Sequence, residues 1–593
     1  MIDREYQVVV VGGGMAGVCA AIASARHGAR TALIHNRPVL GGNASSEIRM
    51  HIVGANCHGT RPDARETGIL EEILLENRRR NPGHSFSIFD TVLWEKVRFQ
   101  EGLDLYLNTQ MTGVEVAAGR IRAVEALQLT TEKQFRFTAA IFVDCTGDGT
   151  LAYQAGAACR VGRESRDEFG EQYAPERADR KTMGNTLLFQ AVDTGAPVPF
   201  EKPFWAHSFG EADLAFRGHS AYASAMEHYE VDSGYWWIEL GGEEDTIADG
   251  EAIRDELLKT VYGVWDHIKN RGDHGAANYA LEWVGFLPGK RESRRIMGDY
   301  ILKEQDCLSG RLFPDAVAYG GWPMDMHPPE GFRYKGDPNQ FLRLNDVYTI
   351  PYRCYCARDI ANLMMAGRNI SASHMAFGSI RVMGTCSAGG QAVGTAAALA
   401  VRQNCPPGGL TDRIQELQQL LLRDDCYIPG VANQDPEDRA RRARIAASSA
   451  QPDGAPEQVV NGVARRVGGV SNCWISEDLA ASGEWLELQW DEPLSIREVH
   501  LKFDSNLSGE IMPTLSKTVR KQQIPGLPPE LVKDYELQLW AGDQLRAQLA
   551  VEGNGLRFRT HRLAEPTYAD RLRILVRGTH GAAEARLFEV RVY

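Results

Sequence analysis

At 593 residues the chain is too long for one hydrophobic core, so two or three domains are expected. Apolar residues make up 43% and charged residues 24%, the balance of a globular protein. A net charge of −13 argues against nucleic acid or an anionic membrane as the main partner.

The opening MIDREYQ carries neither a basic n-region nor an apolar h-region, so no signal peptide is expected. The eleven cysteines are scattered, without a CxxC pair or zinc-like spacing. A reduced, cytoplasmic protein without a resident metal is the expectation. The longest apolar segment, residues 383–401, is diluted by glycine, serine, threonine and glutamine. It reads as a buried helix and not as a membrane span.

The four valines of residues 8–11 have the unbroken apolarity of a parallel strand buried on both faces. They run into Gly12, Gly14 and Gly17 of a GxGxxG, then an Ala-rich helix and a second strand over residues 30–34. Gly12 permits the turn, Gly14 lets backbone N–H groups reach a pyrophosphate, and Gly17 lets the helix pack close. The helix N-terminus then faces the phosphates with partial positive charge. The second strand ends in His35-Asn36 where an acidic ribose ligand is usual. Either side chain offers a hydrogen bond to a hydroxyl.

Next comes Arg37-Pro-Val-Leu-Gly41-Gly42-Asn43-Ala-Ser-Ser. GGGMAG followed by RPVLGGNASSE resembles the FAD-dependent oxidoreductase family, within the glutathione-reductase-like flavoprotein superfamily. The resemblance spans roughly residues 5–425. It implies FAD contacts from Gly12, Gly14, Met15, Ala16 and Gly17, then from Arg37, Gly41, Gly42 and Asn43, with His35 and Asn36 at the ribose. His51, in a polar insertion within apolar surroundings, is a candidate near the flavin.

Helices are expected over residues 66–80 and 90–101, and a third Rossmann-type strand over 104–108. A hairpin follows, 112–116 with 120–128, whose start, with Val114, the resemblance places against the adenine. Residues 135–140 continue that sheet. Residues 141–149 form a strand ending in Thr146-Gly147-Asp148, which resembles the turn closing the FAD site. From 160 to 285 the pattern is irregular and aromatic. Trp205, Tyr235, Trp236 and Trp237 either line a sugar-sized pocket or pack a core.

The stretch LPGKRESRR at residues 287–295 resembles a family signature. A guanidinium there, Arg294 among the candidates, suits a substrate anion or reduced flavin. Gly-Gly-Trp-Pro-Met-Asp325-Met-His327 places an acid and an imidazole in one loop, as base and orienter or as a structural pair. The resemblance further implies that Arg368 closes the last strand of the nucleotide fold. It sets a long helix starting near 386–389, with Gly389 and Gly390 at its N-terminus, against the flavin. His374 and Arg381 lie on the approach to that helix as acid/base and anion-stabilising candidates.

Residues 433–454 read as a charged helix fading into a linker. Beyond them, short alternating strands resemble a discoidin-like, galactose-binding β-sandwich. The expected fold class is α/β. A Rossmann-like FAD-binding domain (1–160 and 346–430) surrounds an α+β cap (161–345), with a linker (431–455) and a β-sandwich (456–593). The expected activity is hydride abstraction from a carbohydrate or related polyol by FAD. The alternatives are a redox-neutral elimination on a sugar, or a sugar-binding protein with a vestigial flavin domain. A disulfide reductase is disfavoured, since no reactive cysteine pair and no second GxGxxG appear. The expected partner is a small carbohydrate-like molecule; homo-oligomerisation is left open.

Overall fold

The structure is a computed structural model and describes residues 1–219 and 231–593. Its contacts group the chain into two units. The first comprises 1–57, 84–414 and 512–523; the second comprises 58–83, 415–511 and 524–593.

In the first unit Val8–Val11 is wholly buried and lies at the centre of a five-stranded parallel sheet. The order is Leu363–Met365, Ile141–Asp144, Val8–Val11, Thr31–Ile34, Leu103–Tyr106. Val8 pairs with Thr31 on one side and Ile141 on the other, so the strand ends align where the glycine turns begin. The helix Met15–Arg26 makes the first crossover, and the long helix Met383–Arg402 packs beside it. A Cβ on Gly390 would overlap the Ala16 carbonyl, and one on Gly394 the Ala20 carbonyl. Glycine therefore lets the two backbones touch. A second sheet, in the order Ile2–Glu5, Lys133–Thr138, Arg120–Gln128, Thr109–Ala117, contains the expected hairpin.

Residues 161–345 do not separate from the nucleotide fold by contacts, and the expected boundaries at 160 and 345 fall inside one unit. The aromatics there form a core around the helix Gly250–Asn270. Tyr235 and Trp237 are 1% exposed, and Phe189 stacks on Tyr235 at 4.0 Å. The packed-core alternative holds for both. Trp205 is partly exposed and meets Tyr262 edge-on.

The second unit is an antiparallel sheet of the sandwich type. The order is Trp474–Asp478, Glu584–Val592, Glu484–Phe503, Phe558–Thr579, Val532–Ala541, Gln544–Val551. The two longest strands carry register breaks, such as those after Gln489 and Ile496. Such breaks let one strand serve two layers. The charged helix expected over 433–454 is absent. Only a 3-10 turn, Ala440–Arg442, forms before Arg444–Ala447 joins Glu484–Phe503 as an edge strand. Tertiary hydrogen bonds override helix propensity here. The Asp438 carboxylate accepts from Ala440 N (3.0 Å) and Val592 N (3.1 Å), and Trp490 Nε1 donates to Arg439 O (2.9 Å).

The helix Ile69–Arg80, expected within the nucleotide fold, belongs to this second unit. Buried Arg65 pairs with Glu71 (2.8 Å) and donates to the Ser505 and Asn506 carbonyls (both 3.0 Å). Arg78 donates to Ile511 O at 3.1 Å. No helix among the described residues is long and apolar enough to cross a membrane.

Candidate functional site

Three glycine-bearing bends meet at the strand ends of the parallel sheet. Gly12 has φ +107°, and a Cβ there would overlap the Cys145 carbonyl at the end of Ile141–Asp144. A Cβ on Gly17 would overlap the Gly12 carbonyl, which seats the helix on the turn. Gly14 has open space where its Cβ would be. The second bend closes on the first: Gly41 N donates to Gly13 O at 2.8 Å, and a Cβ on Gly42 would lie 3.2 Å from Gly14 Cα. The third bend is held by Asp144, which accepts from Thr146 N (2.9 Å), Thr146 Oγ1 (2.7 Å) and Ala152 N (2.8 Å). A Cβ on Gly147 would meet Arg368 Nη2 at 2.6 Å.

The charges beside these bends suit a diphosphate. Asp148 accepts from Lys290 Nζ (2.7 Å) and Ser293 Oγ (2.8 Å), with Arg368 Nη2 at 3.4 Å. Burial opposes the Asp148 charge, but Arg368 and Lys290 outweigh it and hold the carboxyl below its usual range. Arg368 Nη1 is buried with no hydrogen-bond partner among the described residues. The helix Met15–Arg26 has no acidic side chain in its first turn. A spare guanidinium donor, open space at Gly14 and an unopposed helix N-terminus fit a pyrophosphate-bridged dinucleotide. Asn43 Nδ2 donates to Lys290 O (3.1 Å), joining the second bend to the same stretch.

Several expected cofactor residues do other work. His35 accepts from Gly13 N at 2.9 Å through Nδ1, and its Nε2–H donates to Val39 O at 3.0 Å. Both nitrogens are occupied, and burial lowers the imidazole to about 4, so a neutral ring braces the turn. Asn36 is exposed and donates to Gln110 Oε1 (3.1 Å); Arg37 grips Glu47 with two bonds (3.1 and 2.8 Å). Val114 is half-buried opposite Val124 in its hairpin. Met15 is buried in the first helical turn, and the carbonyl of Ala16 is covered by Gly390. The long helix begins at Met383, as the apolar segment 383–401 predicts and before the start near 386–389 that the resemblance implies, which puts Gly389 and Gly390 in its second turn. A Cβ on Gly389 would meet Tyr355 Oη at 2.6 Å. Both glycines are packing contacts.

A cavity of about 520 Å³ lies in the same unit, with both His327 and His374 in its lining. Both histidines are buried, whereas Tyr173, Tyr334, Asp337 and Gln340 are exposed at its rim. His374 opens the helix His374–Ile380, which Ser373 caps by accepting from Ala376 N (3.2 Å). Its backbone N–H donates to Glu164 (2.8 Å), and its Nδ1 lies 3.0 Å from Glu292. Glu292 also accepts from Met183 N (3.0 Å) and Arg295 Nη1 (3.1 Å). Burial opposes its charge, yet His374 and Arg295 hold it below the usual carboxylate range. An ionised Glu292 accepts only, so Nδ1 of His374 carries the hydrogen. Nε2 is left without a hydrogen-bond partner among the described residues.

His327 is placed differently. Its Nδ1 lies 2.7 Å from Glu239 and its Nε2 3.1 Å from Asp325. Burial works against both carboxylates. Arg291 and His327 nonetheless hold Glu239 down, and His327 and Arg381 hold Asp325 well down. Both ring nitrogens of His327 thus face carboxylates, as a structural pair requires. Arg381 Nη2 grips Asp325 at 2.7 Å, and its Nε is buried with no partner among the described residues. Arg294 stacks on Tyr153 at 3.9 Å and donates to the Asp148 carbonyl (3.4 Å), outside the cavity lining. His51 is half-buried and also outside it.

One stretch joins cradle and cavity. In residues 290–295, Lys290, Ser293 and Arg294 reach Asp148 at the glycine bends. Arg291, Glu292 and Arg295 reach Glu239, His374 and Glu164. Sequence reading singled out the arginines and passed over Glu292 and Glu239. The usable signal was an acid set inside a basic run. Cys145, beside the bends, is no nucleophile, because burial pushes its thiol well up; the eleven cysteines form no disulfide with one another.

A parallel sheet with converging glycine bends and an adjoining histidine-bearing cavity defines a dinucleotide-dependent oxidoreductase. The chain belongs to the FAD dependent oxidoreductase family, whose model matches residues 7–421. It is 29% identical over 235 residues to the tRNA uridine 5-carboxymethylaminomethyl modification enzyme MnmG of Geobacter metallireducens. That match spans 33% of this chain and 36% of the relative, about a third of its length. Among solved structures, a Streptococcus pneumoniae fucose binding module, SpX-3, is 14% identical (TM-score 0.21; 26% of this chain, 96% of that one). The family 32 module of C. perfringens NanJ in complex with galactose is 14% identical (TM-score 0.20; 26% and 97%). Similarities of that depth do not carry a ligand across. FAD is the cofactor of this family, and the bends and the spare Arg368 donor fit it.

Proposed function

We propose that the chain oxidises a hydroxyl-rich, carbohydrate-like small molecule held in the 520 Å³ cavity, with His374 as the base. The observation that carries this reading is the Glu292–His374 pair, which occupies Nδ1 and leaves Nε2 of a cavity-lining histidine unpaired among the described residues. Bound in the cradle, FAD supplies the two-electron acceptor for a substrate hydride.

The chain's own residues account for the rest. His374 Nε2 takes the hydroxyl proton as the C–O bond becomes a carbonyl, and Glu292 stabilises the imidazolium so formed. Asn339, Gln340 and Asp337 offer donors and acceptors to sugar hydroxyls, while Tyr334 and Tyr173 offer faces for C–H groups. Arg381 and His327 fix Asp325, and Asp325 in turn accepts from Asn339 Nδ2 at 2.6 Å. That network orients a binding group and takes no proton.

The name of the Geobacter relative raises tRNA as a substrate. A net charge of −13 opposes a polyanion, and His374 lines a cavity of about 520 Å³; both favour a small molecule. The alternative of a redox-neutral elimination uses the same base and differs only in returning the hydride. Anaerobic mixing of the flavin-loaded chain with a panel of monosaccharides, glycosides and polyols separates the readings. Bleaching by at least one member is expected. Substrate consumption with neither bleaching nor an acceptor would move the assignment to elimination, and inertness to the whole panel would reject the substrate class.

A further inference from the structure

Three imidazoles and a carboxylate converge at the end of the helix Gly250–Asn270, apart from the cavity lining. His267 lies in the last turn of that helix and His274 in the loop leaving it. Glu211 and His219 lie in the segment before it. One ligand atom from each falls within 4.8 Å of all the others. The three ring centroids are 4.7–5.0 Å apart, and the imidazoles are 8% exposed or less.

The hydrogen bonds around the rings leave a charge unresolved. His219 Nδ1 meets Arg217 O at 2.6 Å, and His267 Nδ1 meets Phe209 O at 3.1 Å. A carbonyl only accepts, so the hydrogen of each neutral ring sits on Nδ1 and the Nε2 lone pair points inward. Those Nε2 atoms nevertheless face Glu211, at 3.2 Å from His219 and 3.0 Å from His267. His274 Nε2, 3.8 Å from Glu211, is buried with no hydrogen-bond partner among the described residues. Lone pairs facing a carboxylate repel unless the rings are protonated or a cation sits between them. Protonating three rings this close together is itself unfavourable.

We propose that Glu211, His219, His267 and His274 form a zinc site of three imidazole nitrogens and one carboxylate oxygen. Imidazole and carboxylate at four-fold coordination suit zinc, and backbone carbonyls on the far ring nitrogens are the usual outer support of such ligands. A tetrahedron with metal–nitrogen bonds of about 2.0 Å has edges of about 3.3 Å, so the ligands close inward slightly on binding. The exposed Glu211 side is the entry path. With four protein ligands the metal is structural. Arg217, whose carbonyl holds His219, donates to the carbonyls of Gly331 (3.2 Å), Tyr334 (3.0 Å) and Gly336 (2.7 Å), so zinc stiffens the segment carrying the cavity rim.

The full flavin-loaded chain, saturated with zinc and desalted, is expected to retain about one zinc per chain by mass spectrometry. Chelation is expected to lower the thermal midpoint, and added zinc to restore it. X-ray absorption is expected to show a first shell of nitrogen and oxygen near 2.0 Å without sulfur. His274→Ala removes retention. Should that buried change prevent folding, Glu211→Ala, on the exposed side, lowers zinc affinity at least about tenfold in a chain that keeps its flavin absorbance. A folded chain retaining no zinc, a sulfur-containing shell, or undiminished affinity in folded Glu211→Ala would overturn the assignment.

Discussion

Glu292 lies in a run with Lys290, Arg291, Arg294 and Arg295, yet it is His374 that it orients. If Glu292 fixes the tautomer of His374, Glu292→Gln should slow substrate oxidation by roughly 10²-fold or more, since general-base catalysis is worth about 10²–10⁴. Flavin content should be unchanged, and the loss should fall on kcat more than on KM. A loss confined to KM would mean that Glu292 serves binding alone. His35 makes a separate prediction for stability. Burial lowers its folded value to about 4 from the ordinary 6.5, so the neutral ring stabilises the fold fully above pH 6.5. That contribution erodes as pH falls from 6.5 toward 4, because the unfolded chain then binds the extra proton. Thermal midpoints of the native chain should drop over that window, and those of His35→Gln should drop less. Equal pH dependence would remove His35 as the cause.

Among the elements, a glycine of the first turn and a glycine of the long helix do opposite jobs, and substitution separates them. Gly14 has φ −67° and open space around its missing Cβ, so Gly14→Ala should leave the thermal midpoint of the flavin-free chain within about a degree while weakening FAD binding. Gly390→Ala drives a Cβ into the Ala16 carbonyl and should destabilise the fold by about 1–3 kcal/mol. Flavin titration followed by thermal melts reads both; destabilisation by Gly14→Ala would show that Gly14 is a packing contact. This contrast also marks what sequence reveals. The role of Gly12, Gly14 and Gly17 was legible because spacing between a strand and a helix admits one geometry. The packing of Gly389 on Tyr355 and of Gly390 on Ala16 was not, because those neighbours are remote in sequence. His327 and Asp325 were legible as a pair, but Glu239 arrives from 88 residues away and occupies the other ring nitrogen. Long-range partners decide the chemistry of a residue more than its near neighbours do.

Across the whole molecule, the two units are interleaved in sequence: residues 58–83 belong with the sandwich, and 512–523 with the nucleotide fold. The sandwich strands were legible from period-two alternation, whereas the excursion of 58–83 was not, since an amphipathic helix does not declare which core it covers. A chain stopped at residue 430 deprives Arg65 of the Ser505 and Asn506 carbonyls that satisfy it. It should aggregate or elute as an expanded species on size exclusion, and a compact, flavin-replete product would refute the interleaving. A cavity of about 20 Å³ lined by residues of the second unit has room for about one water and not for a sugar ring. The proposed substrate chemistry is placed at the 520 Å³ cavity because His374, paired with Glu292, lines it. Stopped-flow reduction of the bound flavin by the best substrate of the panel, in native chain and His374→Gln, tests this most directly. Reduction about 10²–10⁴-fold slower at equal flavin occupancy is predicted; rates within about threefold of one another would contradict the assignment of His374 as the base.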